Sequence, residues 1–171
     1  MSDGSRLAIA SRLAIASSPY VLDSAVTVWE QDQANTWEQP YWNMIGNITD
    51  STTTNQNNLS YFEYIGVVLS GNGQVLVASK TKKDASGTPT ELGYTSYKWN
   101  SIVGSWDVMD DKGGLLSKIQ YTEDNECAAL SNDGTVLAVC FELRIDVYSW
   151  NEEKSAWIPR DVVFDFNKFY G

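Results

Sequence analysis

One short phrase recurs three times along this chain, and it constrains the fold more than any other feature. The copies are Ser2-Asp3-Gly4-Ser5-Arg6-Leu7-Ala8-Ile9-Ala10, Leu69-Ser70-Gly71-Asn72-Gly73-Gln74-Val75-Leu76-Val77-Ala78-Ser79 and Leu130-Ser131-Asn132-Asp133-Gly134-Thr135-Val136-Leu137-Ala138-Val139. Repetition at a long period means that each copy is one supersecondary unit, whose apolar face is buried only against its neighbours. Gly73 and Gly134 lie 61 residues apart, and Gly4 and Gly73 lie 69 apart. The longer gap has a visible cause, because the hexapeptide at 5–10 is repeated at once at 11–16. Six is an even number, so a strand that absorbs the insertion keeps its alternation. The expectation is that the first hexapeptide is held loosely and the second forms the true strand.

Each copy follows one grammar. A short apolar run (Tyr64–Leu69, Cys127–Leu130) leads into a Gly-containing turn, and a second apolar run follows (Val75–Ser79, Val136–Phe141). Asn-Gly and Asp-Gly favour tight hairpins because both central residues tolerate positive φ. The runs are apolar on both faces, as strands sandwiched between other sheets must be. A third, alternating strand ends in an aromatic: Ala25–Trp29, Tyr94–Trp99, Arg144–Trp150. A polar turn then leads to a Trp that opens a fourth strand, and Trp37, Trp106 and Trp157 take that position. No long stretch shows helical periodicity. Thr49–Ser60 and Lys80–Gly93 are polar and read as exposed loops.

Composition removes several function classes. The chain has no histidine, which excludes Ser-His-Asp and Cys-His nucleophile arrangements and His-ligated metal sites. Twelve Lys and Arg against 22 Asp and Glu give a net charge of −10, the wrong sign for gripping nucleic acid. The basic patch Lys80-Thr81-Lys82-Lys83 reads as part of a solvated loop. No apolar run reaches membrane-spanning length, and Arg6 and Arg12 interrupt any signal-peptide pattern.

Two features carry candidate chemistry. With Asp133-Gly134 as central turn residues, Cys127 and Cys140 face each other across the hairpin, at a non-hydrogen-bonded pair. They form either a cross-strand disulfide or two buried thiols. Acids cluster at Asp107, Asp110 and Asp111 and at Glu123, Asp124 and Glu126, but no spacing forces two together for glycoside hydrolysis.

The pattern Leu-Ser-x-Asp-Gly-x-x-Leu-Ala-Val, then Val-x-Val-Tyr, then Trp, resembles the FG-GAP-like propeller repeats of integrin alpha chains and of algal and bacterial repeat proteins. Trp37-Glu38-Gln39 with Ile45-Gly46-Asn47-Ile48, and the segment 61–70, are similar to strands of the algal-type versions. WD-repeat blades share the grammar. The resemblance implies an all-β fold of three four-stranded antiparallel propeller-type blades, the first lacking its first strand, in an incomplete propeller. The repeats divide the single segment 1–171 at 2–60, 61–118 and 119–171. Integrin-type repeats often carry an Asp-x-Asp-x-Asp-Gly calcium loop. The turns here hold one acid or none, so Asp3, Gly4, Asn72, Gly73, Asp133 and Gly134 are assigned to turn structure and no metal or cofactor is expected.

The expected function is a non-enzymatic scaffold for a protein or glycan ligand, in a larger extracellular or surface protein or in a homo-oligomer that completes the ring. The alternatives are a carboxylate-dependent hydrolase across a completed propeller and a degenerate gene fragment.

Overall fold

The computed structural model describes residues 6–14, 22–31, 42–50, 61–84, 86, 88–109, 127–141, 144–160 and 164–165. Among them the chain is all-β, without helix, and forms three antiparallel sheets. The first contains β1 (Arg6–Ala14), β2 (Leu22–Gln31) and β3 (Trp42–Asp50) in that order. The second orders β4 (Tyr61–Leu69), β5 (Val75–Lys83), β6 (Pro89–Asn100) and β7 (Ser105–Val108). The third orders β8 (Cys127–Leu130), β9 (Val136–Phe141), β10 (Arg144–Asn151) and β11 (Ala156–Pro159). The short β12 (Phe164–Asp165) continues beside β10. Strand β9 occupies one edge of β10, so β11 and β12 share the other as one interrupted strand.

The second sheet lies between the other two, and β5 shows why its sequence is apolar on both faces. Successive side chains of a strand point to opposite faces. Leu76 and Ala78 are fully buried in a cluster with Val26 and Val28 of the first sheet, and Tyr64 and Tyr97 belong to the same cluster. Val77, from the opposite face, packs with Leu92, Tyr94, Leu137, Val139, Tyr148 and Trp157 in a cluster shared with the third sheet. One alternating strand thus supplies both cores.

Two expectations are corrected. The hexapeptide at 5–10 is not the loose copy. Residues 6–10 pair continuously with Val26–Glu30, and Ala8 and Ala10 pack on the core, while the pairing of 11–14 extends the strand outward. The first copy wins because it delivers its small side chains onto Val26 and Val28. Lys80–Gly93 is not a loop either. Lys80 pairs with Gly93 and Thr81 with Leu92, and Thr81 and Leu92 are buried, so the Lys-containing run lies on a strand. The chain reverses only near Asp84, whose carboxylate accepts the backbone N–H groups of Ser86 and Thr88. The expectations for Trp37, Asp3 and Gly4, and for residues 51–60 of the polar stretch Thr49–Ser60, lie outside the described residues.

Candidate functional site

The repeated turn is built twice from the same parts. In the second sheet the Gly73 N–H donates to the Ser70 carbonyl (2.8 Å), and in the third the Gly134 N–H donates to that of Ser131 (3.0 Å). The serine hydroxyl accepts the N–H of Val75 or Val136, at 2.9 Å in both, and donates to Asn72 Oδ1 (2.8 Å) or Asp133 Oδ1 (2.6 Å). That Oδ1 in turn accepts the N–H two residues on, from Gln74 or Thr135. Only the glycines take positive φ, 67° at Gly73 and 74° at Gly134. The side chains of Asn72 and Asp133 hold their own backbone by bonding two residues ahead. Positive φ is thus confined to the glycine of each turn, and four residues separate Ser70 from Val75 and Ser131 from Val136.

The wider turn also changes a parity. The Ser131 N–H donates to the Val136 carbonyl, which makes 131 and 136 a hydrogen-bonded pair. Alternation then makes Cys127 and Cys140 a hydrogen-bonded pair too, not the non-hydrogen-bonded pair that a two-residue turn would give. The register itself pairs Cys127 with Cys140, and the two are joined as a disulfide with Cα atoms 5.0 Å apart.

Each turn glycine seats on the sheet before it. A Cβ on Gly73 would lie 3.0 Å from Arg6 Cδ, and one on Gly134 would lie 2.5 Å from Val75 Cβ. Arg6 and Val75 occupy the same place in their repeats, two residues after the marker glycine. The joint between the first and second sheets adds a cation: Arg6 Nε bonds Glu30 Oε1 (2.9 Å), its Nη1 donates to the Gly73 carbonyl (2.8 Å), and its guanidinium lies 4.9 Å from the Trp99 ring centroid. Val75 has no such group, and the second joint instead adds a bond between turns, from Asn72 N–H to the Asn132 carbonyl (2.8 Å).

Trp106 and Trp157, two of the three tryptophans expected to open the fourth strand, serve these joints. Trp99 pairs with Trp106, and Trp150 with Trp157, with ring centroids 5.5 Å apart in each case. Trp157 Nε1 donates to Ser96 Oγ across the joint (3.1 Å). Trp106 reaches the first sheet where Gly46 leaves room, since a Cβ there would lie 2.5 Å from Trp106 Cδ1. Val28 stands in the ladder place that Ser96 holds in the second sheet, and among the described residues the buried Trp106 Nε1 has no hydrogen-bond partner.

Beside these pairs, the ends of the second and third sheets leave an open groove of about 420 Å³. Trp99, Asn100 and Ile102 line one side and Trp150 and Glu152 the other, with Val108 and Met109 along it. Ile102 is 94% exposed and Val103 72%, which leaves an apolar rim in water. Lys98 pairs with Glu152 across the groove at 3.6 Å. A second cleft, about 280 Å³, lies where Ile65–Val68 of β4 meet Cys127 and Ala128 of β8.

Of the acid clusters, Asp107 is exposed at the groove and accepts bonds from Asn100 Nδ2 (2.8 Å) and Ser105 Oγ (3.1 Å), while the other five acids lie outside the described residues. Among the described residues no group of three acids and cysteines is placed to hold a metal. No helix of the described residues is long and apolar enough to cross a membrane. No family model and no curated protein matches the sequence.

Asp133 gives the third-sheet turn a pH dependence that the second lacks. Its carboxyl is lowered to about 2, first by the Ser131 hydroxyl and then by the Thr135 N–H and hydroxyl. Its folded pKa lies below its ordinary value of 3.8, so the stabilisation is complete above that value and is lost as pH falls through about 2. Asn72 makes the same turn without titrating. Acidification is therefore expected to speed amide exchange at Gly134 and Thr135 relative to Gly73 and Gln74, after correction for intrinsic rates. Asp133→Asn should remove the difference; equal acid sensitivity in that variant would refute the assignment.

Proposed function

We propose that this chain is a β-propeller-type repeat segment, related in kind to FG-GAP-like and WD-type blades, that acts as a non-enzymatic scaffold for a protein or glycan ligand. The observation that carries the reading is the joint built twice, with a turn glycine seated on the residue two places after the preceding marker glycine. A unit that repeats both its fold and its packing step makes a rigid stack of sheets, and such stacks present the ends of their strands as binding surface.

The groove between the second and third sheets is the proposed contact surface. Its tryptophan rings offer flat apolar faces to a sugar ring or an aromatic side chain, and Lys98, Glu152 and Asn100 supply polar groups around them. Titration of the intact chain with neutral oligosaccharides and with a Lys-containing aromatic peptide, read by tryptophan fluorescence, tests it. Saturable binding by one class, weakened about tenfold or more by Ile102→Asp, about 1.4 kcal/mol, is the expected result. Binding indifferent to Ile102→Asp, or no binding to either class, would remove the groove from the reading.

A further inference from the structure

We infer that the outer face of the first sheet docks onto the outer face of the third sheet of a second copy of this chain, by the step that joins the sheets within one copy. This rests on the repeat-stack reading above and names the partner of its two ends.

The argument is positional. Three residues after each marker glycine stand Leu7, Leu76 and Leu137, and five residues after it stand Ile9, Ala78 and Val139. In the second and third sheets these positions face the preceding sheet, and all four side chains are 0% exposed. In the first sheet the same positions hold Leu7, 47% exposed, and Ile9, 45% exposed. Both are larger or equal to their buried counterparts, and neither is polar. Met44, paired with Trp29 on that face, is 55% exposed. A free sheet face with this pattern would ordinarily alternate to polar residues.

The third sheet offers the matching half. The face that receives the next sheet is built by Ala8, Val26 and Val28 in the first sheet and by Val77, Tyr94 and Ser96 in the second. The ladder places Ala138, Ile145 and Val147 at those positions in the third. Leu137, Val139 and Tyr148 pack against the second sheet, so alternation turns these three outward. Val136 stands where Arg6 and Val75 carry the turn glycine of the next sheet. The two outer faces are different surfaces, so the contact is head-to-tail and joins copies in one direction.

Light scattering after size exclusion, on the full chain over a wide concentration range, reads the association. A mass of two chains, or growth through larger multiples, supports the contact. Leu7→Lys and Val147→Lys, on opposite outer faces, should each shift the association midpoint by about tenfold or more while leaving the fluorescence of the folded chain unchanged. An equal mixture of the two variants should recover a two-chain species, because one keeps an intact third sheet and the other an intact first sheet. A wild-type monomer at every concentration overturns the inference. So does association that one variant abolishes and the other leaves intact, which marks a like-to-like contact. A monomer that still binds ligand in its groove overturns this inference alone and leaves the scaffold reading standing.

Discussion

Gly134→Ala should detach the third sheet from the second. The substitution meets two costs at once. At φ 74° an L side chain is strained, by about 1–2 kcal/mol. The new Cβ would also lie 2.5 Å from both Val75 Cβ and Val75 Cγ2, and 3.3 Å from Ser70 Cβ. Forcing a methyl into such a contact costs about 1–3 kcal/mol more, so the sum is about 2–5 kcal/mol. Gly104 supplies the control. It has nearly the same φ, 72°, but nothing within 4 Å of its added Cβ, so Gly104→Ala should show the backbone cost alone. Urea unfolding followed by tryptophan fluorescence separates the two. Equal midpoints for the two variants would mean that the turn glycine does not form the joint.

The Trp157 ring is the second large effect. It is 7% exposed within the cluster shared by the second and third sheets, and removing a buried Trp ring costs about 3–5 kcal/mol. The comparison with Trp106 is more informative than the single substitution. Trp157→Phe keeps most of the ring but breaks the bond to Ser96 Oγ and leaves a buried hydroxyl, at about 1–3 kcal/mol. Trp106→Phe removes an N–H that has no partner among the described residues, so only ring size is lost. The Trp157 variant should be the less stable of the pair. Ser96→Ala should remove most of that difference in a double-mutant cycle. Identical losses at the two tryptophans would refute the distinction.

Much of the architecture is legible from local sequence. The runs Val136–Phe141 and Cys127–Leu130 coincide with β9 and β8 because a Gly-containing turn and flanking apolar residues fix both ends of each. The pairing of Cys127 with Cys140 follows from counting outward from the turn centre, whatever the width of the turn. Ser70 and Ser131 are conspicuous in the repeated phrase, yet their role as turn anchors shows only in the hydrogen bonds of their hydroxyls. The signal is their fixed place three residues before Gly73 and Gly134. The ribbon at Lys80–Gly93 was hidden by its polar composition. Only the paired, buried Thr81 and Leu92 show that the strands continue.

The sequence by itself determined the apolar strands β8 and β9 and the register of the hairpin between them, because these depend on alternation and turn chemistry among residues close along the chain. The tertiary structure decided the rest. Arg6 and Val75 occupy one repeat position, yet one carries a guanidinium bonded to Glu30 and the next turn, and the other a bare aliphatic surface. Leu7 and Leu76 are the same residue at the same repeat position, and one is half exposed while the other is fully buried. Burial depends on what another sheet places across the joint, and no residue's neighbours in sequence contain that information.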